Sequence, residues 1–208
     1  MKFYKNEVLN ERMKQDWDTL KEFKDIGFLG GGTALALQLG HRLSIDFDFF
    51  CSKPISSKLI LKVKKFFGKI KILINNSDEL TFLTSNKVKI TFLYYPFKFN
   101  SHLINFEDIK ILNILDIASA KAYALNRRAN IKDYIDIYTI LKSGIKLPEI
   151  IKMASNVFGE LFSEKLFLSQ LLYLEDISTK NFDEIVFIGK NKPSLEQIKT
   201  FFNDLIKI

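Results

Sequence analysis

The sequence predicts a mixed α/β (α+β) fold: a domain with a mixed sheet over residues 1–112, then a helical bundle over residues 113–208. Residues 27–50 read as strand, glycine turn, helix, turn and strand. Further runs rich in Ile, Leu, Val, Phe and Tyr continue as far as residue 112, after which the apolar spacing becomes helical. No linker or repeat marks the boundary, which rests on that change of period alone.

Residues 3–25 carry Leu9, Met13, Trp17, Leu20 and Phe23 three or four apart, the spacing of an amphipathic helix that Gly27 ends. A short strand then ends at Leu29, and a helix opens at Thr33, which suits an N-cap and runs to a turn at Gly40. The strand from Leu43 to Phe50 alternates: Ser44, Asp46 and Asp48 share one face, and Ile45, Phe47 and Phe49 take the face expected to be buried. From Ser56 to Phe67 a helix turns Leu59, Val63, Phe66 and Phe67 inward. Residues 70–75, 80–84 and 87–95 read as strands separated by Asn and Ser turns, and residues 97–112 as loop plus a short strand from Ile109 to Leu112. Beyond Asn113 the chain is helical, with Pro148 opening one helix and Ser194 to Gln197 forming a capping box before Leu195–Ile206. Residues 182–189 fit helix and strand equally.

The chemistry lies in the stretch from Gly27 to Phe50. Glycines without a Cβ admit close approach to the backbone, and the amides at a helix start attract anions, so Gly31, Gly32 and Thr33 are candidate phosphate contacts. Asp46 and Asp48, two apart on a strand, can share a divalent metal. Together these suit transfer from a nucleoside triphosphate. The glycine run is not a Walker loop, since no Gly-Lys-Ser/Thr follows, nor a dinucleotide fingerprint, since Leu35 stands in the third glycine's place.

Gly-Gly-Thr-Ala-Leu-Ala-Leu followed by Gly-His-Arg-x-Ser-x-Asp-x-Asp closely resembles the first motif of the AbiEii/AbiGii-type nucleotidyltransferase toxins, within the DNA polymerase beta-like nucleotidyltransferase superfamily. The stretch from Asp116 to Tyr138 resembles the family's downstream motif, an inward lysine and an arginine followed by Lys-Asp-x-x-Asp. The resemblance implies a nucleotidyltransferase-fold toxin of a toxin-antitoxin or abortive-infection pair, using Mg²⁺ and a nucleoside triphosphate. Its implied catalytic residues are Asp46, Asp48, Lys121 and Asp133, with Asp46 and Asp48 on the metal. Arg42, Ser44 and Arg128 join the nucleotide contacts, Lys121 and Arg128 being seven apart on what is expected to be one helix. His41 is expected to be structural or a phosphate neighbour. An antitoxin encoded nearby and an RNA acceptor, tRNA included, are the implied partners. The superfamily's third carboxylate would fall near Thr91, where this chain has none. That departure keeps a second reading open, an inactive nucleotide-binding or protein-interaction module of the same fold.

Composition narrows the rest. The chain has 208 residues, 47% apolar and 26% charged, ordinary for a folded domain. No apolar run is long enough to span a bilayer, and the amino terminus carries acids where a signal peptide needs an apolar core, so a cytosolic protein is expected. The single cysteine, Cys51, excludes an intramolecular disulfide and a thiolate cluster. The net charge of +7 comes from 31 bases, only four of them arginine. Residues 1–112 hold 18 bases against 12 acids, and residues 113–208 hold 13 against 12. Lys58, Lys62, Lys65 and Lys69 form a stripe on the expected helix, either a candidate RNA contact or a solvated face, while Lys132 and Asp136 are spaced as an ordinary helix pair.

Overall fold

The structure is a computed structural model that describes residues 2–99, 102–128, 130–174, 182–189 and 192–206. Leu9, Met13, Trp17, Leu20 and Phe23 are all buried, but the amino-terminal segment is two helices. α1 (Lys5–Val8) ends at Leu9, and Asn10 starts α2 (Glu11–Leu20) by accepting the Met13 amide through its side chain. A 3-10 turn over Lys21–Phe23 carries the chain to β1 (Phe28–Leu29). α3 (Gly31–Leu39) and β2 (Asp46–Cys51) follow, the helix closing on Gly40 at φ 63°. α4 (Leu59–Phe67) leads to β3 (Lys71–Asn75), β4 (Glu79–Leu83) and β5 (Lys89–Tyr94).

The sequence reading missed one strand. β6 (Ile104–Phe106) pairs antiparallel with β7 (Ile109–Ile111) through the two-residue turn Glu107-Asp108. Both turn residues have positive φ, 48° and 65°, the conformation of the hairpin turns whose twist matches paired strands. Glu107 is held there by Lys5 at 2.6 Å and the Trp17 indole at 2.7 Å.

The seven strands form one mixed sheet in the order β3-β4-β5-β2-β1-β7-β6. At its centre β2 runs parallel to β5 and antiparallel to β1, with Asp46 opposite Lys89 and Asp48 opposite Thr91. Side-chain alternation then divides the two faces. Phe49 stacks on Phe92, Phe92 meets Phe23, and Phe23 meets Phe66 and Phe67 of α4. Asp48 and Thr91 point to the opposite face.

The helical part begins at Asn113, which caps α5 (Ile114–Leu125) by accepting the Asp116 amide. α6 (Ile131–Lys142), α7 (Leu147–Phe158), α8 (Glu164–Leu172) and α9 (Leu195–Ile206) complete it. The capping box before α9 is present in both directions, Ser194 to Gln197 and back. Among residues 182–189, Phe187 bridges to Arg42 and Val186 accepts the Leu43 amide, which ties this segment to the approach of β2.

Candidate active site

The glycine turn is shaped by what lies beside it. Gly31 adopts φ 64°, and a Cβ there would meet the Asp48 carboxylate at 3.0 Å. A Cβ on Gly32 would run into Arg42 Nη2. The close approach is thus first of all to the chain's own carboxylate and guanidinium. Gly30 occupies the cap position of α3 with no side chain bonded to the first amides, so the helix opens at Gly31 and Thr33 is its third residue, not its N-cap. The Thr33 hydroxyl instead bonds the Ser44 hydroxyl and the Asp46 carbonyl, fixing the path into β2. That path is irregular through Leu43 and Ile45, and the strand starts at Asp46. Ile45 is therefore 59% exposed rather than buried with Phe47 and Phe49.

A cleft of about 400 Å³ lies between the sheet and α5. Gly31, Gly32, Asp48, Thr91, Lys121, Arg128 and Asp133 line it, so most of the expected site converges. Asp46 sits next to this group on the same face of β2, its carboxylate 3.1 Å from the Lys89 ammonium. Burial and the neighbouring Asp46 charge push the Asp48 carboxyl up to about 6, against the pull of Lys89, Lys121 and the Thr91 hydroxyl.

Behind the cleft is a buried charge network that the motif reading grasped only in part. The fully buried Asp136 accepts Arg42 Nε at 2.8 Å and Nη2 at 2.9 Å, His41 Nε2 at 2.8 Å and Lys121 Nζ at 2.8 Å. Burial opposes its ionisation, but Arg42, Lys121 and His41 together hold it well below the usual carboxylate range. Burial lowers the pKa of the His41 imidazole, so the ring is neutral and donates to Asp136 from Nε2. Lys121 also bonds Asp133 Oδ1 at 2.6 Å, and the two aspartates keep its ammonium charged despite burial. The second oxygen of Asp133 is buried without a hydrogen bond, with Arg128 Nε 3.5 Å away.

Four expectations change here. Arg42, Ser44 and Thr33 are buried and do not line the cleft; they brace it, Arg42 through Asp136 and the two hydroxyls through each other. Arg128 is not on the helix of Lys121, because α5 ends at Leu125, yet both reach Asp133. Asp136 turns inward to Arg42 and Lys121 rather than pairing along its helix with Lys132. The stripe Lys58, Lys62, Lys65 and Lys69 belongs to the α4 side, behind the sheet from Asp48, and Lys69 lies past the helix end at Gly68. Nothing in the sequence marks Lys89, Tyr95, Tyr123 and Arg127 as site residues; the β2–β5 register and the packing of α5 bring them in.

The family model described as "Nucleotidyl transferase AbiEii toxin, Type IV TA system" matches residues 17–207. This chain belongs to the AbiEii nucleotidyl transferase toxin family. A relative of similar length, the Aquifex aeolicus (strain VF5) protein aq_aa25, is 30% identical over 205 residues, covering 93% of this chain and 95% of that one. The same fold occurs in JHP933 from Helicobacter pylori, at TM-score 0.61 and 20% identity over 96% of this chain and 92% of that one. It also occurs in MenT4, a nucleotidyltransferase toxin from Mycobacterium tuberculosis H37Rv, at TM-score 0.61 and 14% identity over 95% and 83%. Among the described residues no helix is long and apolar enough to cross a membrane.

Proposed function

We propose that this AbiEii-family chain transfers a nucleotidyl group from a nucleoside triphosphate to an acceptor hydroxyl, with Asp46, Asp48, Lys121 and Asp133 as its working residues. The observation that carries the reading is one cleft lined by a helix start, a metal-type carboxylate and an ion-paired lysine beside a half-satisfied aspartate. The first amides of α3 at Gly31 and Gly32 suit phosphate oxygens, and Lys121 and Arg128 supply the facing positive charge. In the reaction the acceptor oxygen bonds the α-phosphorus, the bond to the β-phosphate breaks, and pyrophosphate leaves. Asp133 Oδ2, which has no hydrogen bond and only the Arg128 guanidinium 3.5 Å away, is the oxygen that would orient the attacking hydroxyl and take its proton. Lys121 holds the other Asp133 oxygen and fixes its direction.

The donor set fits Mg²⁺. Asp46, Asp48 and the Thr91 hydroxyl offer oxygen alone, the preference of a hard cation, and a cation there would offset both the burial and the neighbouring Asp46 charge that raise Asp48. Among the described residues no cluster of three acid, histidine or cysteine ligands could hold an ion alone, so Asp46 and Asp48 would share it with the triphosphate. When bound, the metal neutralises phosphate charge.

RNA, tRNA included, is the acceptor class we propose, supported by the basic excess of the first half of the chain. An antitoxin partner is proposed on the family description. Incubation with labelled triphosphates, bulk bacterial RNA and Mg²⁺ tests the reading, and label should enter RNA only with metal present. No incorporation from any of the four triphosphates with Mg²⁺ or Mn²⁺ would overturn the enzyme reading in favour of a nucleotide-binding module. The missing third acid and the Lys89 ammonium on Asp46 would then be the reason.

A further inference from the structure

The cleft has two chemically different ends. Gly31, Gly32, Asp48, Lys121, Arg128 and Asp133 make one end charged, and the other is formed by Phe50, Leu93, Tyr95, Tyr123 and Arg127. At that second end Phe158 stacks on Tyr123 with ring centroids 4.1 Å apart and planes 11° apart. On Tyr123 also lies the Arg127 guanidinium, its Cζ 3.7 Å from the ring centroid. Arg127 Nη1 donates to the Leu161 carbonyl at 3.3 Å, and Phe97 packs edge-on against Tyr123. Tyr95 is stacked on Phe50, whose ring lies against Gly30 at the head of α3. Rings and guanidinium are therefore layered beside the phosphate end, and the outermost layer, Arg127, is exposed.

We propose that Tyr123 and Arg127 form the nucleobase subsite for the nucleoside triphosphate, with the base stacking as the next layer on the Arg127 guanidinium. The inference rests on the nucleotide reading above and deepens it. A guanidinium and aromatic faces prefer a flat, π-rich partner, and a nucleobase is the flat part of a ligand whose phosphates the other end suits. Arg127 sets the base while Arg128, the next residue, turns to Asp133 at the charged end. The adjacent arginines thus divide the two halves of one nucleotide between them.

Arg127→Lys is the discriminating variant, because it keeps the charge and loses the plane on an exposed side chain whose one hydrogen bond, to the Leu161 carbonyl, lies at the surface. Calorimetric titration with Mg²⁺ should be run on the full chain with each nucleoside triphosphate and, separately, with inorganic tripolyphosphate. The wild type should bind triphosphates about tenfold more tightly than tripolyphosphate, the scale of one stacked base. Arg127→Lys and Tyr123→Leu should remove most of that advantage while tripolyphosphate binding stays within about twofold, and Tyr123→Phe should keep it. Equal losses for both ligands in Arg127→Lys would overturn the subsite and make Arg127 a phosphate contact. Unchanged affinities in Arg127→Lys and Tyr123→Leu would overturn it as well. A wild type that binds neither ligand would instead overturn the nucleotide reading itself.

Discussion

Replacing Asp48 with asparagine should stabilise this protein at neutral pH even as it removes a proposed metal ligand. Burial and the adjacent Asp46 push the Asp48 carboxyl up to about 6, against roughly 3.9 in an unfolded chain. Between those values the folded state binds more protons than the unfolded one. The contribution of Asp48 therefore falls as pH rises from about 4 to about 6 and stays low above that. At about 1.4 kcal/mol per pH unit the separation corresponds to about 3 kcal/mol. An asparagine amide keeps the shape but must also find partners, so a gain of about 1–3 kcal/mol is expected at pH 7.5. Urea unfolding at pH 4.5 and pH 7.5 provides the assay, with the gain small at the lower pH and large at the higher. A variant no more stable than wild type at pH 7.5, or equally stabilised at both, would refute the reasoning. A working site that costs stability in its resting state is a known trade-off.

Other consequences follow from the network behind the cleft. Asp136→Ala leaves Arg42, His41 and Lys121 without the carboxylate they share and should cost about 3–5 kcal/mol by chemical denaturation, whereas the paired replacement Arg42→Met with Asp136→Leu should recover only the Arg42 share of it, because His41 and Lys121 still lose that partner. Because Asp136 ionises far below its unfolded value, its contribution is complete above about pH 4 and is lost only as pH falls towards its folded value. The paired replacement should accordingly flatten the acid limb of the stability curve. Gly32→Ala puts a methyl into the Arg42 guanidinium and should cost about 1–3 kcal/mol, measured as a lowered urea midpoint. Gln at Lys58, Lys62, Lys65 and Lys69 together should leave triphosphate binding unchanged, because α4 lies behind the sheet. The salt slope of bulk RNA binding should flatten by roughly 0.7 for each lysine–phosphate pairing removed, and an unchanged slope would return these lysines to solvent.

Much of this was legible where local rules act. Alternation over Asp46 to Phe49, the glycine stop at Gly40 and the Ser194–Gln197 box each depend on a few neighbouring residues, and each appears in the structure. What was not legible depends on distant partners or unmarked turns. β6 escaped because its turn is Glu107-Asp108, held in positive φ by Lys5 and Trp17 instead of by a glycine. Alternation puts Ile45 in the core, but that period holds only once the strand has begun. Arg42 looks like a ligand contact in a motif, but its partner Asp136 lies 94 residues away and its bracing role is visible only in three dimensions. The aromatic end of the cleft has no spacing to reveal it, since Phe50, Tyr95, Tyr123 and Phe158 come from four separate segments.

The most direct test of the central claim is nucleotide transfer by the double variant Asp46→Asn, Asp48→Asn. The wild type should label bulk bacterial RNA from a triphosphate with Mg²⁺ and arrest growth when expressed. The double variant should fold, lose both properties, and lose the Mg²⁺ binding that the wild type shows only together with nucleotide. Transfer and growth arrest that persist without either carboxylate would contradict the account.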